Sequence, residues 1–153
     1  MDYLEIGALV NGIIASSEAV KQDLGRRFAA HLGLHPGSPG KDGGIDGYGV
    51  LGNKKIYFQC KLYRIPLDAS FTADFCGNLV IHNADIGIML SGVGYTQGYS
   101  DRLQAFHDNF PGNIPTHLLK LEDIFAETPA WKKAQFELPE LRDLSNGEWS
   151  KIR

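Results

Sequence analysis

The stretch Lys41-Asp42-Gly43-Gly44-Ile45-Asp46-Gly47, followed shortly by Ile56-Tyr57-Phe58-Gln59-Cys60-Lys61, decides how this chain is read. Apolar alternation predicts two strands, over residues 45–51 and 55–62, and the Gly52-Asn53 pair between them marks a hairpin turn. Side chains of an extended strand alternate between its faces. Ile56, Phe58, Cys60 and Leu62 therefore share one face, and Tyr57, Gln59, Lys61 and Tyr63 the other. Asp46 stands at the start of the first strand, so a tight turn brings it beside Gln59 and Lys61. Three polar side chains are expected to converge on one patch.

Working outward, residues 33–44 read as a loop, carrying two prolines and no apolar periodicity. Before it, Val20, Leu24, Phe28 and Leu32 recur every fourth residue, with Ser16 or Ser17 as N-cap and Gly33 as the closing residue. An earlier helix is written in Ile6, Leu9, Val10, Ile13 and Ile14, although Gly7 and Gly12 weaken it. After the hairpin, a helix is expected over 68–82, with Phe71, Phe75, Leu79 and His82 along one side. A buried strand follows over 86–90, a helix over 98–110 with Leu103, Phe106 and Phe110, a strand over 117–121 and a helical turn over 122–125. Trp131, Phe136, Leu138, Leu141 and Trp149 make the remaining tail too apolar to lie free in water, so it is expected to pack on the rest. This order describes an α/β protein with a central mixed β-sheet and helices on both faces.

The chain has 153 residues, the size of one domain, and its 43% hydrophobic and 22% charged content suits a globular protein with a real core. A net charge of −3 excludes a histone-like binder, so any nucleic-acid contact must be local. Cys60 and Cys76 are the only cysteines, which suggests two free thiols rather than a disulfide framework or zinc knuckle. The five histidines show no metal-ligand spacing. No apolar run is long enough for a membrane span and no basic segment precedes one, so a cytoplasmic protein without membrane contact is expected.

A carboxylate with amide or carbonyl oxygens is a hard donor set suited to Mg²⁺, which keeps waters that substrate phosphate can replace. A lysine beside such an ion can orient the attacking water and stabilise charge building on phosphorus. Phosphodiester cleavage is the chemistry these residue types serve. Each also has a plainer role: Asp42 and Asp46 can shape glycine turns, Glu18 can complement a helix dipole, and Cys60 can be a small core residue.

The runs GKDGGIDGYG and IYFQCKLY resemble the signature of Mrr-like restriction endonucleases, a branch of the PD-(D/E)xK nuclease superfamily in which Gln commonly replaces the second acid. The likeness continues through Ala84-Asp-Ile-Gly-Ile-Met-Leu-Ser, Gly94-Tyr-Thr-Gln-Gly-Tyr-Ser and Leu118-Leu-Lys-Leu-Glu-Asp-Ile-Phe, covering roughly residues 17–125. It leaves an N-terminal extension, 1–16, and a C-terminal one, 126–153. The resemblance implies a restriction-endonuclease-like core and a metal-dependent endodeoxyribonuclease acting in restriction or defence against foreign DNA. Asp46, Gln59 and Lys61 match the motif, with Glu18 as a further catalytic candidate. Mg²⁺, or Mn²⁺ in its place, would be held by Asp46, Gln59 and the Cys60 backbone carbonyl, joined by Glu18 or Asp42. The family commonly carries a Glu on its first core helix; counted back from Gly33, that position is Gln22, and Glu18 lies one turn earlier. Lys41, Lys54, Lys55, Arg64 and Gln97 are the candidate DNA contacts, and Arg26 and Arg27 lie on the preceding helix. Neither extension is large enough for a recognition domain, so a homodimer that cuts both strands, a separate specificity subunit, or action with little specificity is implied. The competing reading is a catalytically inactive nuclease-fold module that binds nucleic acid or a protein partner.

Overall fold

The computed structural model describes residues 1–38 and 46–152. Two helices open the chain. α1, Tyr3–Ala15, starts at a reciprocal cap in which Asp2 accepts from the Glu5 N–H at 2.8 Å and the Glu5 carboxylate accepts from the Asp2 N–H at 3.3 Å. α2, Glu18–His31, starts at Ser17, whose hydroxyl accepts from the Val20 N–H. It ends before Gly33, whose φ of +80° turns the chain in the left-handed region that glycine enters without strain.

The sheet comprises β1 (His35–Pro36), β2 (Gly47–Leu51), β3 (Lys54–Lys61), β4 (Ile86–Ser91) and β5 (Thr116–Lys120), side by side in that order. β1, β2 and β3 pair antiparallel, whereas β3, β4 and β5 run parallel. The parallel steps are made by α3, Ala69–Ile81, and α4, Gln97–Asn109, capped by Asp68 and Thr96 respectively. Two Ser70 hydrogen bonds hold the Asp68 carboxyl below its usual pKa, the hydroxyl's contributing most. The chain closes with α5 (Leu121–Ala126), α6 (Pro129–Gln135) and α7 (Glu148–Ile152).

The alternation of β3 sorts the core into two layers. Ile56, Phe58 and Leu62 join Ile88, Leu90 and Leu119 under α2, with Ile14 of α1, Ile124 of α5 and Trp131 of α6. Tyr57 and Met89 face the other way, onto Phe75 and Leu79 of α3 and onto Tyr99 and Leu103 of α4. The protein is thus α/β, with a five-stranded mixed sheet between helices. No described helix is long and apolar enough to cross a membrane.

Most predicted elements lie within two residues of those observed. The loop expected over 33–44 contains a strand of two residues, β1, which exists because His35 pairs with Tyr48 and Pro36 with Gly47. Pro36 cannot donate to a ladder, which suits this outermost position. The strand expected from residue 45 is described from Gly47 onward. In the tail, Trp131, Leu138 and Trp149 are buried as expected, and the indole N–H of Trp149 donates to Asp23 on α2. Phe136 is the exception, 87% exposed. It sits two residues beyond buried Ala134, about 200° round the helix and therefore facing away from the core.

Candidate active site at the end of the hairpin

Because β2 runs antiparallel to β3, the start of β2 and the end of β3 meet at one end of the sheet, where β4 and β5 also end. Asp46 stands there, one residue before β2. Its N–H donates to the Phe58 carbonyl at 3.1 Å and its own carbonyl accepts from Gly37 at 2.8 Å, so its backbone is fixed on both sides. Its carboxylate turns to β3, where Oδ2 accepts the Cys60 N–H at 2.7 Å. That is a short charge-assisted bond to backbone, which places a negative group against the QCK segment.

α2 faces this point with Gly25, where an added side-chain carbon would make only ordinary contacts. A Cβ on Gly25 would sit 3.5 Å from both Asp46 Oδ1 and Cys60 Cβ. Cys60 itself packs against the apolar layer under α2. Burial pushes its thiol pKa well up; the Asp46 carboxylate raises it further and the Lys61 ammonium opposes both. The thiol is therefore a protonated core group lying in the field of both charges.

Gln59 behaves differently from the expectation of a shared patch. It is 1% exposed, and its amide donates to Asp74 Oδ2 on α3 at 3.0 Å while its carbonyl accepts from the Tyr57 hydroxyl at 3.2 Å. The structure thus turns the Asp46 carboxylate toward Cys60 and α2, and the Gln59 amide toward α3. Lys61, half-buried at the strand end, forms no ion pair among the described residues. The Cys60 N–H and C=O point to the same side of β3, as in any extended strand, so its carbonyl oxygen is directed toward the side that carries Asp46.

The remaining candidates scatter. Glu18 is 75% exposed at its side chain and pairs with Lys21 at 3.3 Å. It precedes Gly25 by seven residues, about 10 Å along the helix, and so lies away from the Asp46 carboxylate. Gln22 is exposed, and Lys41 and Asp42 lie outside the described residues. Lys54 and Lys55 flank the motif in sequence, but six residues of extended chain separate Lys55 from Lys61, about 20 Å. They mark the opposite end of the sheet. Arg64 is exposed in the loop just beyond β3, at the Lys61 end. Gln97 is exposed at the start of α4 and donates to Asp101. Arg26 donates through Nε to the Gly37 carbonyl and stacks 5.6 Å over Trp149. Tyr95 is fixed across β4 and β5 by donation to the Met89 and Leu119 carbonyls, and Tyr99 is fully buried.

Sequence reading missed Asp74. Its one signal was Gln59 itself, a polar residue between apolar neighbours that needs a hydrogen-bond partner. Which helical residue supplies the partner depends on how α3 docks. The arrangement sets a carboxylate and a directed carbonyl oxygen at the end of the sheet where β3 closes with Lys61, which has no ion pair among the described residues; the two oxygens are donors that suit a hard divalent ion. No known protein family model matches the chain, and no curated protein matches it.

Proposed function

We propose that this chain is a metal-dependent endodeoxyribonuclease with a restriction-endonuclease-like core, acting in the cytoplasm in restriction or defence against foreign DNA. The observation that carries the reading is the Asp46 carboxylate held on the Cys60 N–H where the end of β3 meets the start of β2, one residue before Lys61. The Asp46 carboxylate and the Cys60 carbonyl would hold Mg²⁺ or Mn²⁺. When bound, the ion supplies positive charge to the scissile phosphate and acidifies a water. Lys61 orients that water by hydrogen bonding and offsets the charge that grows on the phosphate oxygens. Gln59 acts from beneath, its amide joined to Asp74 and Tyr57 so that β3 and α3 are held in one position. A separate subunit would supply specificity and a homodimer would cut both strands; without either, the chain acts with little specificity.

The engaged Gln59 amide favours a second reading, an inactive nuclease-fold module that binds nucleic acid or a protein, because a residue of the motif is used internally. Cleavage separates the two. Supercoiled plasmid and methylated and unmethylated linear DNA are incubated with the protein in Mg²⁺, in Mn²⁺ and in EDTA. Nicking or linearisation that EDTA abolishes is expected; binding of DNA without cleavage under every condition selects the inactive module.

A further inference from the structure

The C-terminal segment beyond α6 returns to α2 and is fastened to it at several points. No side chain could stand at Gly33 without displacing it, since a Cβ there would lie 2.6 Å from the Glu140 carbonyl oxygen and 2.9 Å from the Pro139 Cβ. The His31 carbonyl accepts the Arg142 N–H at 2.9 Å, and the His31 ring meets the Arg142 carbonyl oxygen at 2.9 Å. Leu144 and Trp149 then pack with Ala30 as a small core of their own. On α7, the Trp149 indole N–H donates to Asp23 Oδ2 at 3.3 Å, and the Arg26 guanidinium lies 5.6 Å over the ring. Asp23 and Arg26 are three residues apart and lie on one face of α2, where both grip the same indole.

Arg26 reaches further than the indole. Its Nε donates at 2.8 Å to the carbonyl of Gly37, a buried residue just past β1, and the Gly37 N–H in turn donates at 2.8 Å to the Asp46 carbonyl. Asp46 is therefore clamped from two sides, by Phe58 of β3 through its own N–H and by Gly37 through its carbonyl. A residue held at its N–H alone can pivot about that bond; holding the carbonyl as well fixes the direction in which its side chain leaves. Arg26 also follows Gly25, whose added Cβ would lie 3.5 Å from Asp46 Oδ1. One turn of α2 thus meets the carboxylate and holds the backbone that carries it. The chain of contacts runs from Trp149 through Arg26 and Gly37 to Asp46, and ends on the Cys60 N–H.

We propose that Arg26 is a positioning residue for the Asp46 carboxylate, and that the C-terminal helix α7 sets its aim by seating Trp149 against the guanidinium. The proposal deepens the nuclease reading and rests on it for the metal that Asp46 would hold. Arg26 acts only through Asp46, by keeping its backbone in place.

The test compares Arg26→Met, which has no donor, with Arg26→Gln, whose amide nitrogen stands as many bonds from Cα as the arginine Nε and can donate to the Gly37 carbonyl without the charge. Backbone amide resonances are read by heteronuclear NMR in EDTA. The Cys60 N–H, which Asp46 accepts, is the reporter; the Lys55 N–H, which Asp85 accepts at the other end of the sheet, is the control. Arg26→Met is expected to move the Cys60 resonance and leave that of Lys55 in place, and Arg26→Gln to return most of the shift. Trp149→Phe, which keeps a ring against the guanidinium, should stay closer to wild type than Trp149→Leu. Mn²⁺ affinity, by isothermal titration calorimetry, should fall about three- to tenfold in Arg26→Met and recover in Arg26→Gln. An unmoved Cys60 resonance in Arg26→Met overturns the proposal, as does Mn²⁺ binding by that variant as tight as by the wild type. So does a Gln variant no different from the Met variant, or a Lys55 shift as large as that of Cys60, the mark of general loosening. The expected Cys60 pattern, in a protein whose wild type neither binds Mn²⁺ nor nicks DNA, upholds Arg26 as the residue that holds Asp46 and removes the nuclease reading. Nicking and Mn²⁺ binding that Arg26→Met leaves unchanged, with Cys60 unmoved, do the reverse.

Discussion

The two faces of β3 are built to different rules. Under α2 the contacts leave no room: a Cβ on Gly47 would lie 2.5 Å from the Ala29 Cβ, and one on Gly49 would lie 2.8 Å from a Leu34 methyl. Toward α3 the same strand carries a polar chain that runs from buried Tyr57 and Gln59 to exposed Asp74, and an open aromatic groove. Close packing fixes the position of α2, and with it the backbone that presents Asp46. The α3 face is looser and more polar. Tight apolar packing and polar side-chain contacts are thereby separated by the parity of a single strand.

Substitutions on the two faces should expose that separation. The largest effect is expected from Phe58→Ala, which empties a fully buried site under α2 and should cost about 3–5 kcal/mol. Tyr48→Ala, on the open face, should stay within about 0.5 kcal/mol of wild type, both read from urea unfolding. A loss of comparable size at Tyr48 would break the comparison. Gly47→Ala adds one methyl where the helix touches the strand and should cost about 1–3 kcal/mol, measured in the same way.

Gln59→Leu sharpens the picture on the polar face. It leaves the buried Tyr57 hydroxyl and the Asp74 carboxylate without their amide partner, for an expected loss of about 1–3 kcal/mol. If stability is unchanged, the chain from Tyr57 to Asp74 contributes no structural restraint. The smallest expected effect concerns Cys76, whose thiol burial pushes from 9.0 up to about 11, with Arg102 opposing. A thiol with a raised folded-state pKa is stabilising below its unfolded pKa, and that contribution is lost as pH rises toward the folded value. Between pH 9 and 11 the wild type should therefore lose stability that Cys76→Ala keeps, as followed by unfolding midpoints.

What was legible in the sequence follows the range of the interactions involved. The hairpin and the parity of β3 were readable because period two and the Gly52-Asn53 turn are local signals. The helices over 18–31 and 69–81 were readable from four-residue periodicity and their caps. β1 was not, since a two-residue strand is created only by its partner. Asp74 was missed because its meeting with Gln59 is set by the docking of α3. Lys54 and Lys55 were assigned to the Asp46 end by sequence proximity, whereas an extended strand carries neighbours apart at about 3.3 Å per residue. The aromatic groove needed the end point of α3, a tertiary fact.

The most direct test of the candidate site is the rate of plasmid nicking in Mg²⁺ by wild type, Asp46→Ala and Lys61→Ala, at equal concentrations of protein shown to be folded by circular dichroism. Loss of nicking by at least about a hundredfold in both variants, with the fold retained, is the expected result, since on the proposed reading each removes a charge that acts on the reacting phosphate. Nicking that persists at the wild-type rate in either folded variant would contradict the placement of the chemistry at the Asp46 and Lys61 end of the hairpin.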